Sequence, residues 1–505
     1  MNRDGPADSG EKALPQCRTA PHQFSAIWLR CRQDARLRGV LYVLAALLLI
    51  APAIACFMYI DWTGRNVPDI DTWGFIPTIS HSLATRGLDW SALWAPDLQA
   101  RPILWRICLL LVAWGFHFNV QLLKFVAVPF IGVELWACLL IVRQGRDRPS
   151  PLKTMFILAP VGLLLFGLGN WENLLREWNV ANIGAVAFAM LAVVETSRAI
   201  DGRSRPVMRS IAGIGLCVVA SLMGEPGLIA WPTCIVVSIW PWTPKRNVIR
   251  AVVLIAAIAF LAIYAEGLPG SSFLANVSDF PAFCVFGIVT IGNGVIGSFE
   301  NQALIGVAFA IGVGECLLGL GAICLLSHSR FRSTKSHYRM SMGITLLGLL
   351  GALSLALGRS NTGIGESTVS RYALITAPMA IGLYLVFTQM ASDVRRQSAS
   401  GVRAKWEKTC APVIYAITAI TLLGVLGGAL AGDASEVYMA QYRRDYWESM
   451  EYIACHASTA SDQQLAIYQY ANTDAALLQS IAELRESHLS VFSGNQCELV
   501  SKLGS

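Results

Sequence analysis

Long apolar runs alternate along the chain with short basic or Gly/Pro-rich breaks. About 20 residues, rising 1.5 Å each, cross the ~30 Å hydrocarbon core of a bilayer. The runs at 39–60, 120–142, 303–326 and 411–431 meet that length most clearly. Seven more, at 154–170, 180–197, 210–223, 227–242, 249–266, 340–358 and 372–391, bring the expected spanning helices to eleven. The pair within 210–242 is short and reads as a hairpin broken at Gly224-Glu225-Pro226-Gly227. Barrel strands would alternate over ~10 residues instead. The pattern predicts an all-α polytopic membrane protein.

Basic residues orient that pattern. With the N-terminus in the cytoplasm, 27 of the 39 Lys and Arg fall in the 1–38 tail and in alternate connections, as the positive-inside rule requires. Two apolar segments, 103–118 and 281–299, must then not cross. Both are expected to be interfacial or re-entrant on the outer face, the first anchored by Arg101, Trp105, Arg106 and Trp114. This divides the chain into a cytoplasmic tail (1–38), a transmembrane domain (39–431) with a first periplasmic loop at 61–118, and a periplasmic helical tail (432–505). The first apolar run follows a polar stretch and is too long for a cleavable signal. The expected setting is a membrane that the chain crosses many times.

Composition narrows the function. Of 505 residues, 54% are hydrophobic and 14% charged, which excludes an ordinary soluble enzyme and a disordered chain. Nucleic acid is not an expected partner; the bilayer is. No phosphate-cradling Gly-rich loop and no zinc-ligand spacing is present. Most of the 13 cysteines sit in apolar runs. Cys455 and Cys497 share the polar tail and are the candidate disulfide.

Polar groups gather on the expected outer face. The first loop carries Asp69, Asp71 and Trp73 and closes with Asp97, Arg101 and Arg106. Trp171-Glu172-Asn173, with Arg176 and Glu177, follows the third span; Arg359 and Ser370-Arg371-Tyr372 bracket a late connection. A carboxylate can take a proton from a hydroxyl, arginine matches phosphate with a planar fork, and aromatics stack on sugar rings. Each group also has a plainer role: a solvated turn at Asp69 and Asp71, snorkelling at Arg101 and Arg106, a local pairing of Glu172 and Glu177 with Arg176. Glu134 and Glu315 lie within spans, as structural groups or a proton path.

These motifs resemble those of bacterial polytopic membrane proteins related to the GT-C glycosyltransferases. Asp71-Thr-Trp73 is similar to an Asp-x-Trp pattern, with Asp69 as a second carboxylate. Arg101 to Arg106 resembles an Arg-x4-Arg pattern, and Trp171-Glu172-Asn173 a Glu-Asn pattern. Gly358-Arg359, Gly363 and Ser370-Arg371-Tyr372 resemble a Gly-Arg…Gly…Ser-Arg-Tyr pattern. Leu489-Ser490-Val491-Phe492 resembles the family's tail. One departure is Asp97-Leu98-Gln99-Ala100, where relatives often carry a His/Glu-rich stretch.

The resemblance implies a polyprenyl-phosphate-linked sugar as donor and a cell-envelope glycan or lipid as acceptor. Asp71, with Asp69 as the alternative, would be the catalytic base of an inverting displacement. Arg101, Arg106, Trp171, Glu172, Asn173, Arg359, Arg371 and Tyr372 would bind substrate. No cofactor is implied, and nothing supports a divalent metal. The competing readings are a transporter or flippase of lipid-linked saccharides, a ligase or polymerase of surface glycans, and a non-catalytic assembly protein.

Overall fold

A computed structural model describes residues 35–97, 100–144, 149–202, 205–240, 246–268, 277–297, 304–327, 335–399, 405–466, 474–494 and 496–498. Among them every regular element is a helix; one isolated bridge joins Asp97 and Ala100. The chain divides into two units, Met1–Leu47 and Leu48–Ser505. The described residues of the first, 35–47, are helical and form the opening turns of α1 (Ala35–Thr63).

Among the described residues ten helices are long and apolar enough to cross a membrane. They include α1, the stretch Val120–Arg143, α5 (Pro151–Leu165) with its extension to Leu175, α6 (Glu177–Asp201), α7 (Pro206–Met223) and α9 (Asn247–Ala265). Four more follow: α11 (Ile305–Ser327), α12 (Lys335–Arg359), α13 (Ser370–Ala399) and α14 (Lys405–Cys455). The molecule is a multi-pass helical membrane protein. The expected span 227–242 is shorter, a 3-10 turn at Glu225–Ile229 leading into α8 (Ala230–Ile239).

Hydrogen bonds fix which helix ends lie together. At one end Asp201 binds Gln144 at 3.0 Å and pairs with Arg339. There Arg339 Nε also donates to the Trp240 carbonyl at 3.0 Å, and Arg250 Nε to that of Ser238 at 2.8 Å. At the other end Gln121 donates to the Ile60 carbonyl, and Glu172 meets Arg371. Since Gly224, just before the 3-10 turn, lies beside α6 residues 181–182 and α8 ends next to Trp240, the turn and α8 together connect the two ends.

The two segments expected not to cross behave differently from surface helices. In α3 (Ile103–Phe116), which follows α2 (Ile76–Thr85) in the first loop, Trp105 is fully buried, and Arg101 just before it and Arg106 within it are buried too. Of the four expected anchors only Trp114 faces outward; Leu111 and Phe116 join it. The two arginines expected to anchor α3 at an interface turn inward to carbonyls instead, and that anchoring role is corrected. The segment 281–299, described to residue 297 as α10 (Phe280–Ile296), buries its second half among α11, α12 and α13. Gly292 and Gly294 permit this: a Cβ at either would collide with Ala308 or Thr376 backbone. Gly297 abuts Gly169, so α10 terminates at the end where Glu172 lies.

The last span does not stop at residue 431. The α14 helix runs on to Cys455, so the tail begins as a rigid continuation of a core helix. The tail then folds back through α15 (Asp474–Glu486) onto the first loop. Ser480 donates to the Trp73 carbonyl at 3.3 Å. The Ser490 N–H donates to His117 O at 2.8 Å and its hydroxyl to Asn66 O at 2.9 Å. Cys455 and Cys497 are joined, with Cα atoms 5.4 Å apart.

Candidate functional site

Asp69 caps the short helix Ile70–Trp73 and is almost wholly buried. Its backbone N–H donates to Glu177 Oε1 at 2.7 Å. Its carboxylate lies 3.7 Å from Arg176 Nε, and no described group donates a hydrogen bond to it. Arg176 Nη1 lies 3.4 Å from Glu172 Oε1, which Arg371 Nη1 approaches at 3.5 Å. An ionic chain thus runs Asp69, Arg176, Glu172, Arg371 and, at 3.3 Å, Glu366. Burial would make each charge costly alone; as a chain they neutralise one another.

The sequence neighbourhoods explain this assembly. Glu172 belongs to the turn Trp171–Leu175, which leaves α5 and enters α6 through Arg176. Its N–H donates to Ser370 Oγ at 3.2 Å, and the Arg371 N–H donates to Glu172 Oε2 at 3.1 Å. Asn173 donates to the carbonyl of Arg371 at 3.2 Å. The carboxylate therefore caps the N-terminus of α13, where unsatisfied N–H groups favour negative charge.

Asp71 differs from Asp69. Its tip is open to water while protein surrounds it on most sides. That desolvation, reinforced by the charges of Asp69 and Asp97, pushes its carboxyl up to about 6 despite the opposing pull of Arg176 and Arg371. Asp97 is also pushed up by burial, against the charge of Arg106. Its N–H and carbonyl bond reciprocally with Ala100, closing a tight turn; Leu98 and Gln99 lie outside the described residues.

The first-loop arginines are occupied. Arg101 Nε donates to Tyr264 O at 3.1 Å, and its other nitrogens bond Trp94 O and Glu266 O. Arg106 Nη1 reaches the carbonyls of Ala92, Leu93 and Ala95, capping the end of helix Trp90–Trp94. Both fasten backbone to backbone. Trp171 is occupied too: Arg443 sits 3.7 Å and Arg176 5.6 Å from its ring centroid.

The groups left open are Asp71, Arg359 and the exposed part of Arg371. The Arg359 side chain is half-buried, and among the described residues no hydrogen bond or ion pair holds it; it faces Glu225 electrostatically. Tyr372 is buried, and Arg371 lies beside it, 5.3 Å from its ring centroid and interacting with its hydroxyl. Among the described residues no three His, Cys, Asp or Glu groups are placed to hold a metal ion.

Sequence reasoning missed Lys124. It is fully buried, donates to Arg65 O at 2.7 Å, lies 4.0 Å from the Trp447 ring centroid and faces Glu177 and Asp69. The available signal was a lysine a few residues inside an apolar span. No family model, curated protein or solved structure matches this chain.

Proposed function

We propose that the chain is a membrane glycosyltransferase of GT-C type that uses a polyprenyl-phosphate sugar. The observation that carries this reading is the convergence, at one bundle end, of a water-reached carboxylate with guanidiniums that have unused donors. In the reaction, an acceptor hydroxyl oxygen attacks the anomeric carbon while its proton passes to Asp71. The bond from that carbon to the phosphate oxygen breaks, and its electron pair leaves with the polyprenyl phosphate. Arg359 and Arg371 face the charge that grows on that phosphate, where fixed cations act most strongly. A carboxyl near pH 6 is both largely ionised at neutral pH and basic enough to help, worth about 10²–10⁴-fold.

In this reading eleven helices cross the bacterial inner membrane, the N-terminus is cytoplasmic, and the site and tail are periplasmic. The acceptor is a glycan or lipid of the envelope. A transporter of the same lipid-linked saccharide is the second reading. It draws on Glu134, whose carboxyl is fully buried mid-helix with both oxygens unpartnered among the described residues.

Mass spectrometry of surface glycans and lipid-linked intermediates in a deletion strain separates the two. Transfer predicts that a sugar disappears on deletion and returns with wild type but not with Asp71→Asn at equal protein level. Full rescue by Asp71→Asn, with an unmodified lipid-linked intermediate accumulating in the deletion, would establish the transporter instead.

A further inference from the structure

Two carboxylates two residues apart could serve as the base, and the buried groups behind them distinguish their roles. Asp69 is committed to the interior: its N–H is bound by Glu177, its carboxylate faces Arg176, and its carbonyl accepts the Thr72 N–H at 3.0 Å. Glu177 and Lys124 are both fully buried and come from different helices, yet each holds backbone of this one stretch: Glu177 accepts from the Asp69 N–H at 2.7 Å and Lys124 donates to the Arg65 carbonyl at 2.7 Å. Arg65 in turn pairs with Glu448 and Glu451 of α14. The groups facing Lys124 are thus Glu177, Asp69, Arg65 and Glu451. A buried charge bonded to backbone holds that backbone firmly, because breaking the bond leaves both groups unsolvated. Asp71, within the turn that Asp69 caps, points to water.

We propose that Glu177 and Lys124 are positioning residues that clamp the Asp69 turn, so that Asp71 and not Asp69 receives the acceptor's proton. The choice of Asp71 rests on the transferase reading above; the clamp does not. Neither residue touches the substrate. Their effect reaches the reaction through the backbone of residues 65–73, and a misplacement of 1 Å can cost about 10²-fold.

The test uses the full-length protein in lipid nanodiscs, with Glu177→Gln, Lys124→Met, Asp69→Asn and Asp71→Asn. Amide hydrogen exchange over 66–75 quickens in Glu177→Gln and Lys124→Met but not in Asp71→Asn. Sugar transfer, followed from pH 5 to 8, falls about 10²-fold in Glu177→Gln with little change in donor KM, and still rises with pH. Asp71→Asn alone removes that rise. Should a variant fail to fold, Glu177→Asp and Lys124→Arg are read the same way. Unchanged exchange in both clamp variants overturns the proposal. So does a pH rise that Asp69→Asn removes and Asp71→Asn keeps. If the wild type transfers no sugar, the transferase reading and the Asp71 assignment built on it fail, while exchange still decides the clamp.

Discussion

Asp69 and Asp71 carry the same functional group two positions apart, yet their surroundings separate them. One is sealed against Arg176; the other is desolvated without being closed off from water. A carboxyl raised to about 6 is protonated below that pH and cannot then accept a proton. Transfer is therefore expected to drop about tenfold per unit below pH 6 and to level off above it. Initial rates against pH at saturating donor check this. The arginines separate in the same way. Arg101→Ala strips donors from buried carbonyls and is expected to destabilise the protein by about 1–3 kcal/mol per group left unpaired. Arg359→Ala removes a cation that no hydrogen bond or ion pair holds among the described residues, and it is expected to spare stability while weakening donor use. Thermal unfolding in detergent beside a turnover assay tells these two outcomes apart.

At the scale of elements, the tail and the first loop form one unit of structure. The α14 helix carries Glu448 and Glu451 out to Arg65, and the folded-back segment reaches the carbonyls of Asn66, Trp73 and His117. The bonds of the folded-back segment end on backbone rather than side chains, so they hold the loop's path. The Cys455–Cys497 link, spanning 42 positions, ties the end of this fold-back to α14. Replacing either cysteine with serine is expected to cost about 2–4 kcal/mol, largely by freeing the unfolded chain. Chemical denaturation with and without reductant measures it: the wild type falls to the mutant's midpoint on reduction, and the mutant does not move.

Across the whole molecule, charge governs orientation. The end bearing Asp201, Arg250 and Arg339 also receives the basic connections, and the opposite end collects the site. A reporter fused after residue 150 is expected to read cytoplasmic and one after residue 435 periplasmic. A reversal at either would mean that α3 or α10 crosses. Hydropathy alone could not tell how these two helices pack, because both are apolar; their neighbours show it. Gly292 and Gly294 admit α10 into the bundle, and Arg101 and Arg106 hold the approach to α3 against buried backbone.

The sequence by itself determined the helical membrane class, the spans long enough to cross, and the regions where polar groups would gather. Those features are sums over neighbouring residues: apolar length against bilayer thickness, and basic charge against its side. It also named Asp69, Asp71, Glu172, Arg359 and Arg371, since each stands out against an apolar background. Only the tertiary structure decided which of them meet. Glu172 reaches Arg371 across nearly two hundred positions, and Lys124 comes under Asp69 from a separate helix. Arg101 and Arg106, by contrast, turn inward to carbonyls that no local pattern reveals. Hydropathy is a property of a segment, whereas pairing and desolvation belong to contacts that exist only once the helices have packed.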